Sequence, residues 1–283
     1  MGAFHLTWKN FSLDLAARPH LMGVVNVTPD SFSDGGDFFS IQAAVAQGLA
    51  LALAGADILD VGGESTRPGS LPVDEKEESA RVLPVIEALA ARVRVPISVD
   101  TVKSAVARAA LEAGASMVND ISAGRFDPEI IEVAAEAGVP LILMHMKGEP
   151  RTMQDNPEYE DLLGEVRDFL AEALERAVRA GVRQDLIVLD PGLGFGKTFD
   201  HNLVLINRLR ELTVLGRPLL VGPSRKAFLG RLLGGAPPKE RDTATAAVAA
   251  LAAYNGADIL RVHDVRSAGQ ALAVARAVMR EHA

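Results

Sequence analysis

Short apolar runs, separated by alanine-rich stretches of helical character and glycine-bearing turns, recur along the whole chain. The clearest copies are LALAGADILDVGGES, ALEAGASMVNDISAG, AAEAGVPLILMHMKG, AVRAGVRQDLIVLDPGLGFG and LAAYNGADILRVHD, each with a glycine where a helix would end and polar residues past a β-branched run. With LMGVV, VPISVD and RPLLVGPS they make eight strands. Each run is continuously apolar rather than alternating, as parallel strands covered on both faces require, with the helices as right-handed crossovers. A doubly wound sheet shares this alternation, but eight units in 283 residues favour an α/β fold of the (β/α)8 type, a TIM barrel. Ahead of the first strand, FHLTWKNFSLDL alternates in two short segments around Lys9 and Asn10, predicting an N-terminal β-hairpin that closes the barrel bottom. No Pro/Ser-rich linker divides the chain, so residues 1–283 read as a single domain.

Composition narrows the chemistry by exclusion. The chain has no cysteine, which removes thiolate metal sites, disulfides and cysteine nucleophiles and leaves oxygen and imidazole as metal ligands. A net charge of -8 argues against broad nucleic-acid binding, although a local cationic pocket for a small anion stays open. The absence of a long apolar span or a signal-like start points to a soluble cytoplasmic protein without membrane partners.

In a barrel of this kind, the loops beyond the C-terminal strand ends form one rim, and polar residues collect there: Asn26, Asp60, Asp100, Asn119, Asp120, His145, Asp190, Ser224 and His263. Any one of them alone reads as a cap or turn residue; their repetition at successive strands does not. DPGLGFGKT lacks the spacing of a nucleotide P-loop, so its glycines are expected to turn the backbone sharply toward a ligand. Lone His145 reads as a satisfied core histidine. Arg261 and His263, two residues apart on one strand, share a face and could grip an oxyanion. GPSRKAF reads equally as a phosphate-binding turn or a capped helix start, with Lys226 a candidate partner for Asp190 or for a ring carbonyl. Asp100, Asn119 and Asp190, from three strands, could hydrogen-bond a flat heterocycle, because buried carboxylates need cationic or ligand partners.

NVTPDSFSDGG, ESTRPGS, SVDTVKS, NDISAG, MHMKGEPRTMQ, DPGLGFGK, GPSRKAF and RVHDV follow in this order between about Leu21 and Val265. In these segments the chain resembles the dihydropteroate synthases, a family of pterin-binding enzymes. The resemblance implies condensation of (7,8-dihydropterin-6-yl)methyl diphosphate with para-aminobenzoate to give dihydropteroate and diphosphate, with Mg²⁺ required. It also implies a pterin site of Asp100, Asn119, Asp190 and Lys226, and a diphosphate site of Asn26, Thr66, Arg261 and His263, with Asn26 as the protein ligand of Mg²⁺. Phe32, Arg67, Pro68, Phe195 and Ser224 would hold the aminobenzoate. Asp34, Asp100, Lys226, Arg261 and His263 would carry the catalytic charges, and a lid at NVTPDSFSDGG would order on ligand binding. A homodimer is implied, with the alanine-rich face of the last helix either its seam or a face packed on its own barrel. A related pterin-binding methyltransferase module acting on a corrinoid protein would share the pterin residues but have no use for DSFSDGG, STRPGS and SRK together.

Overall fold

The computed structural model describes residues 4–28, 36–65 and 70–280. An antiparallel hairpin of β1 (His5–Trp8) and β2 (Phe11–Asp14) comes first, turning at Lys9, whose φ is 43°. The repeat then runs β3 (His20–Asn26), α1 (Gly36–Leu53), β4 (Ile58–Gly62), α2 (Glu75–Ala90), β5 (Ile97–Asp100), α3 (Ser104–Glu112), β6 (Met117–Asp120) and α4 (Glu129–Ala137). It continues with β7 (Leu141–Met144), α5 (Leu162–Arg179), β8 (Ile187–Asp190), α6 (Phe199–Asn207), β9 (Leu220–Val221), α7 (Ala227–Leu232), α8 (Asp242–Tyr254), β10 (Ile259–Val262) and α9 (Val265–Arg280).

The eight strands are parallel in the order β8-β7-β6-β5-β4-β3-β10-β9, and a bridge between Leu189 and Leu219 joins the two ends. This is the expected barrel, with one strand much shorter than its sequence suggested. Pro218 and Pro223 bracket β9 and bring no amide N–H, so ladder pairing is cut to two residues and the closing contact is one hydrogen bond, Leu189 N to Pro218 O at 2.9 Å. The hairpin sits at the opposite end from the mouth. Leu6, Trp8, Leu13 and Leu15 are buried in the main core, and Arg183, ahead of β8, donates to the Thr7 carbonyl.

Glycine at the helix ends has a common cause. Gly55, Gly114, Gly138, Gly181 and Gly256 all have positive φ, and at each the following residue donates to a carbonyl five positions back, as in Ala56 N to Leu51 O and Ala257 N to Ala252 O. This paired closure ends a helix cleanly and aims the chain back at the sheet. The helices in turn present narrow apolar faces. On α5 the buried Leu163, Val166, Leu170, Ala173 and Ala177 are spaced three and four apart, leaving the charged remainder to solvent.

Register lines the mouth up in rows. Asp100 of β5 pairs with Asn119 of β6 and with Gly62 of β4, and Met144 of β7 pairs with Asp190 of β8. Polar groups from neighbouring strands therefore reach the same depth at the same end of the barrel.

Candidate active site

Two strands that read as continuously apolar each carry one charge. Asp60 is fully buried in the middle of β4, and Arg261 lies in β10. They meet inside the barrel: Arg261 Nε donates to Asp60 Oδ2 at 2.6 Å and Arg261 Nη2 to Asp100 Oδ2 at 2.6 Å. Asp60 Oδ2 also accepts from Asn119 Nδ2 at 3.1 Å, while Asp60 Oδ1 is buried with no partner. One guanidinium thus holds two carboxylates apart and fixes an amide through the first of them. Burial pushes the Asp100 carboxyl up to about 7, against the pull of Arg261 and helped by the nearby Asp60.

Asp190, at the end of β8, is buried and accepts from Gly192 N at 2.6 Å. Burial raises its carboxyl to about 6, opposed by that hydrogen bond and by Lys226 and Lys197. Burial likewise lowers the Lys226 ammonium to about 8, with Arg261 pushing the same way and Asp190 and Asp100 resisting. Lys226 occupies the cap position of α7 without a capping hydrogen bond; its Nζ lies 4.0 Å from the centroid of the Phe195 ring. The preceding residue, Arg225, has φ of 57° and turns the other way, forming a two-pronged pair with Asp242 at 2.8 Å on each prong. GPSRKAF is therefore a helix start whose lysine faces the mouth while its arginine anchors the turn to α8.

At the β10 end, Ser224 Oγ lies 2.8 Å from His263 Nδ1 and accepts from His263 N at 3.1 Å. His263 Nε2 in turn lies 3.3 Å from Asn26 Nδ2, at the end of β3. The strand-end residues Asn26, Asp100, Asn119, Asp190, Ser224, Lys226, Arg261 and His263 thus converge on one mouth, with Phe195 beneath Lys226. Phe32, Asp34, Thr66, Arg67 and Pro68 lie outside the described residues, as does most of NVTPDSFSDGG. A separate groove lined by Lys147, Tyr159, Asp161, Glu165 and Arg167 lies apart from these residues and includes none of them.

Two sequence expectations are sharpened. His145 is a buried, satisfied histidine with Nδ1 2.9 Å from Lys197 Nζ; burial, reinforced by that lysine, depresses its imidazole to about 2. Gly192, Gly194 and Gly196 all have positive φ, and at Gly192 and Gly196 the turn also brings the backbone hard against the β7 end. A Cβ on Gly192 would meet the His145 carbonyl oxygen at 2.0 Å, and one on Gly196 would meet that of Lys147 at 2.3 Å.

The sequence reading missed three partners. Asp60 is visible as the one acid in ILDVG, a run covered on both faces, and such an acid demands a buried cation; among the described strands the one Lys or Arg is Arg261 in ILRV. Lys197 ends a glycine-rich motif that lacks P-loop spacing, so nothing in its pattern marks it as a site residue. Lys103, which bonds Glu64 and the fully buried Glu78 at 2.5 Å each, carried no sequence signal beyond helix-start polarity.

Comparison with known proteins places this geometry. The family model of pterin binding enzymes matches residues 22–263. The dihydropteroate synthase of Synechocystis sp. is 50% identical over 267 residues, covering 94% of this chain and 92% of its own. The Yersinia pestis dihydropteroate synthase in complex with a sulfonamide drug superimposes with a TM-score of 0.92 at 46% identity, over 98% of this chain and all of that one. The Xanthomonas albilineans enzyme in complex with 7,8-dihydropteroate does so with a TM-score of 0.87 at 46% identity, over 95% and 97% of the two chains. The chain belongs to the pterin-binding enzyme family and, within it, to the dihydropteroate synthases.

Proposed function

We propose that this barrel condenses (7,8-dihydropterin-6-yl)methyl diphosphate with para-aminobenzoate, each substrate held by the residues that meet at the mouth. The observation that carries the reading is the interleaving of buried carboxylates with cations, Asp60 and Asp100 on Arg261 and Asp190 beside Lys226. A pterin ring offers several N–H donors next to a carbonyl. Asp190 accepts from the donors, Asn119 completes the edge, and Lys226 donates to the carbonyl. Asp190 is ionised above about 6 and Lys226 protonated below about 8, so this complement is intact between those values.

In the reaction, the bond from the pterin methylene carbon to the diphosphate oxygen breaks and its electron pair leaves with the diphosphate. The resulting cation is delocalised into the ring, the aniline nitrogen forms the new bond, and its proton departs to water or a loop carboxylate; no covalent link to the enzyme forms. Arg261 and His263 take the growing negative charge and Asp100 faces the cation, a role the family resemblance extends to the loop carboxylate Asp34, with Thr66 on the diphosphate. Arg261 Nη1 donates to none of the described residues and is the prong left for an oxyanion. Ser224 and Phe195 lie at the mouth for the aminobenzoate, and the family resemblance adds Phe32, Arg67 and Pro68 to that role.

The residues fit Mg²⁺ as a diphosphate-borne ion. Among the described residues, no group of three or more His, Asp or Glu side chains could hold a metal, whereas Asn26 spends its Nδ2 on His263 and so turns its neutral carbonyl oxygen away from it. One hard amide oxygen, completed by diphosphate and water, suits this cation. Bound there, Mg²⁺ would neutralise the leaving group. Purified protein given both substrates and Mg²⁺ is expected to release dihydropteroate and diphosphate in equal amounts; no product above a protein-free control overturns the reading. Asn26→Ala should weaken Mg²⁺-dependent diphosphate binding in calorimetry by about tenfold or more while sparing the bare pterin, and an equal loss of both contradicts its role.

No described helix is long and apolar enough to cross a membrane. A homodimer is supported by Leu251, Tyr254, Val274 and Val278, large apolar side chains left exposed on α8 and α9, which pack against each other. Sedimentation is expected to give twice the chain mass, and Leu251→Glu with Val274→Glu to halve it; a monomeric parent protein rules this out.

A further inference from the structure

Lys197 is only 2% exposed, yet no carboxylate among the described residues lies within ion-pair distance of it. Its ammonium donates to the Phe195 carbonyl at 3.0 Å and lies 2.9 Å from His145 Nδ1. His145 is fixed in turn, its ring edge-on to Phe169 with centroids 4.8 Å apart. Burial lowers the Lys197 ammonium to about 7, with Asp190 resisting and Lys226 pushing the same way, whereas a methionine would fill this space with no charge to desolvate.

What it holds is the turn that carries Phe195. Gly194 N donates to Asn202 Oδ1 at 2.6 Å, Gly194 O accepts from Gln154 at 2.6 Å, Gly196 O accepts from Tyr159 Oη at 2.8 Å, and Phe195 N closes on Gly192 O at 3.1 Å. The Phe195 carbonyl is the member of this set answered by a buried cation, and the ring of the same residue lies under the Lys226 ammonium. We propose that Lys197 is a positioning residue for pterin binding: by tying the Phe195 carbonyl to the His145 imidazole, it fixes the ring that aims Lys226. It also stands as a second cation beside Asp190, whose carboxyl it helps keep ionised. The groups facing Lys197 are His145 beyond β7, Asp190 on β8, Lys226 ahead of α7 and His201 on α6.

The inference rests on the pterin reading above, and one calorimetric series separates the two. The parent protein must bind 6-hydroxymethyl-7,8-dihydropterin; failure there falls on the pterin reading, not on Lys197. Lys197→Met is expected to weaken that binding about tenfold to a hundredfold and to move the acid-side loss of affinity to higher pH, because Asp190 loses a cation. In a Phe195→Ala background the same substitution should cost clearly less, the part that remains being the one that acts through Asp190. Unchanged affinity, an unmoved acid limb, or an equal cost in both backgrounds overturns the proposal. Should Lys197→Met not yield folded protein by circular dichroism, Lys197→Gln replaces it in the same cycle under the same criteria.

Discussion

Arg261→Met is expected to give a barrel that still folds but has lost about 3–5 kcal/mol of stability, because it strands two buried acids, and that turns over about 10²–10³-fold more slowly. The guanidinium is the hydrogen-bonded counter-charge of both Asp60 and Asp100. Methionine keeps the volume and removes the charge, so the loss reports electrostatics rather than a cavity. Asp100 gives the change a pH signature. Its carboxyl already sits at about 7 when folded, against 3.8 ordinarily, and Arg261 is what holds it from going higher. A carboxyl raised by folding costs stability above its unfolded value, and the cost grows with pH until the folded value is passed. In the parent this growth stops near 7; in the variant it continues. The deficit in melting temperature should therefore be smallest near pH 5 and widen from pH 7 to 9. A deficit independent of pH would mean that Asp100 does not depend on Arg261.

The dependence changes what Arg261 is for. Its spacing from His263 suggested an anion grip, and that reading accounts only for the prong left over. Its Nε and Nη2 are committed to the acids that would face the pterin, so losing it should damage both ends of the reaction: the ring side through Asp60, Asn119 and Asp100, and the diphosphate side directly.

This division also marks what could be read in the chain beforehand. Strands, helix-stopping glycines and the polar rim follow from local rules, since Gly55 or Gly256 must adopt a positive φ wherever the helix turns back to the sheet. Asp100, Asn119 and Asp190 were legible because strand ends in a barrel converge. Asp60 was seen on the rim but not assigned a part, because its function depends on a partner 201 residues away. Lys197 was hidden for another reason. It belongs to a loop rich in glycine, where backbone geometry draws the eye, and its work is done on a carbonyl that carries no side-chain signal. Phe32, Asp34 and the TRPG segment rest on family resemblance.

The same glycine loop yields the second large effect. Gly192→Ala is expected to lower the unfolding free energy by about 2–5 kcal/mol, combining the cost of a left-handed residue with that of forcing an atom into filled space. Gly138→Ala supplies the comparison. Gly138 has φ of 61° and Gly192 φ of 69°, but a Cβ on Gly138 meets nothing within 4 Å, while one on Gly192 would lie 2.0 Å from the His145 carbonyl oxygen. The control should lose only the conformational part, about 1–2 kcal/mol. The difference between the two denaturant midpoints then isolates the clash. The functional consequence should split the pair further. Gly192 N is a donor to Asp190 and Gly192 O an acceptor for Phe195 N, so moving this residue displaces a pterin acceptor and the ring under Lys226 together. Pterin affinity should fall more than about tenfold in Gly192→Ala and stay at the parent value in Gly138→Ala, whose helix end is remote from these contacts. If the two variants lose equal stability, the loop over His145 yields to the new atom, and the close backbone approach is not what makes glycine necessary at position 192.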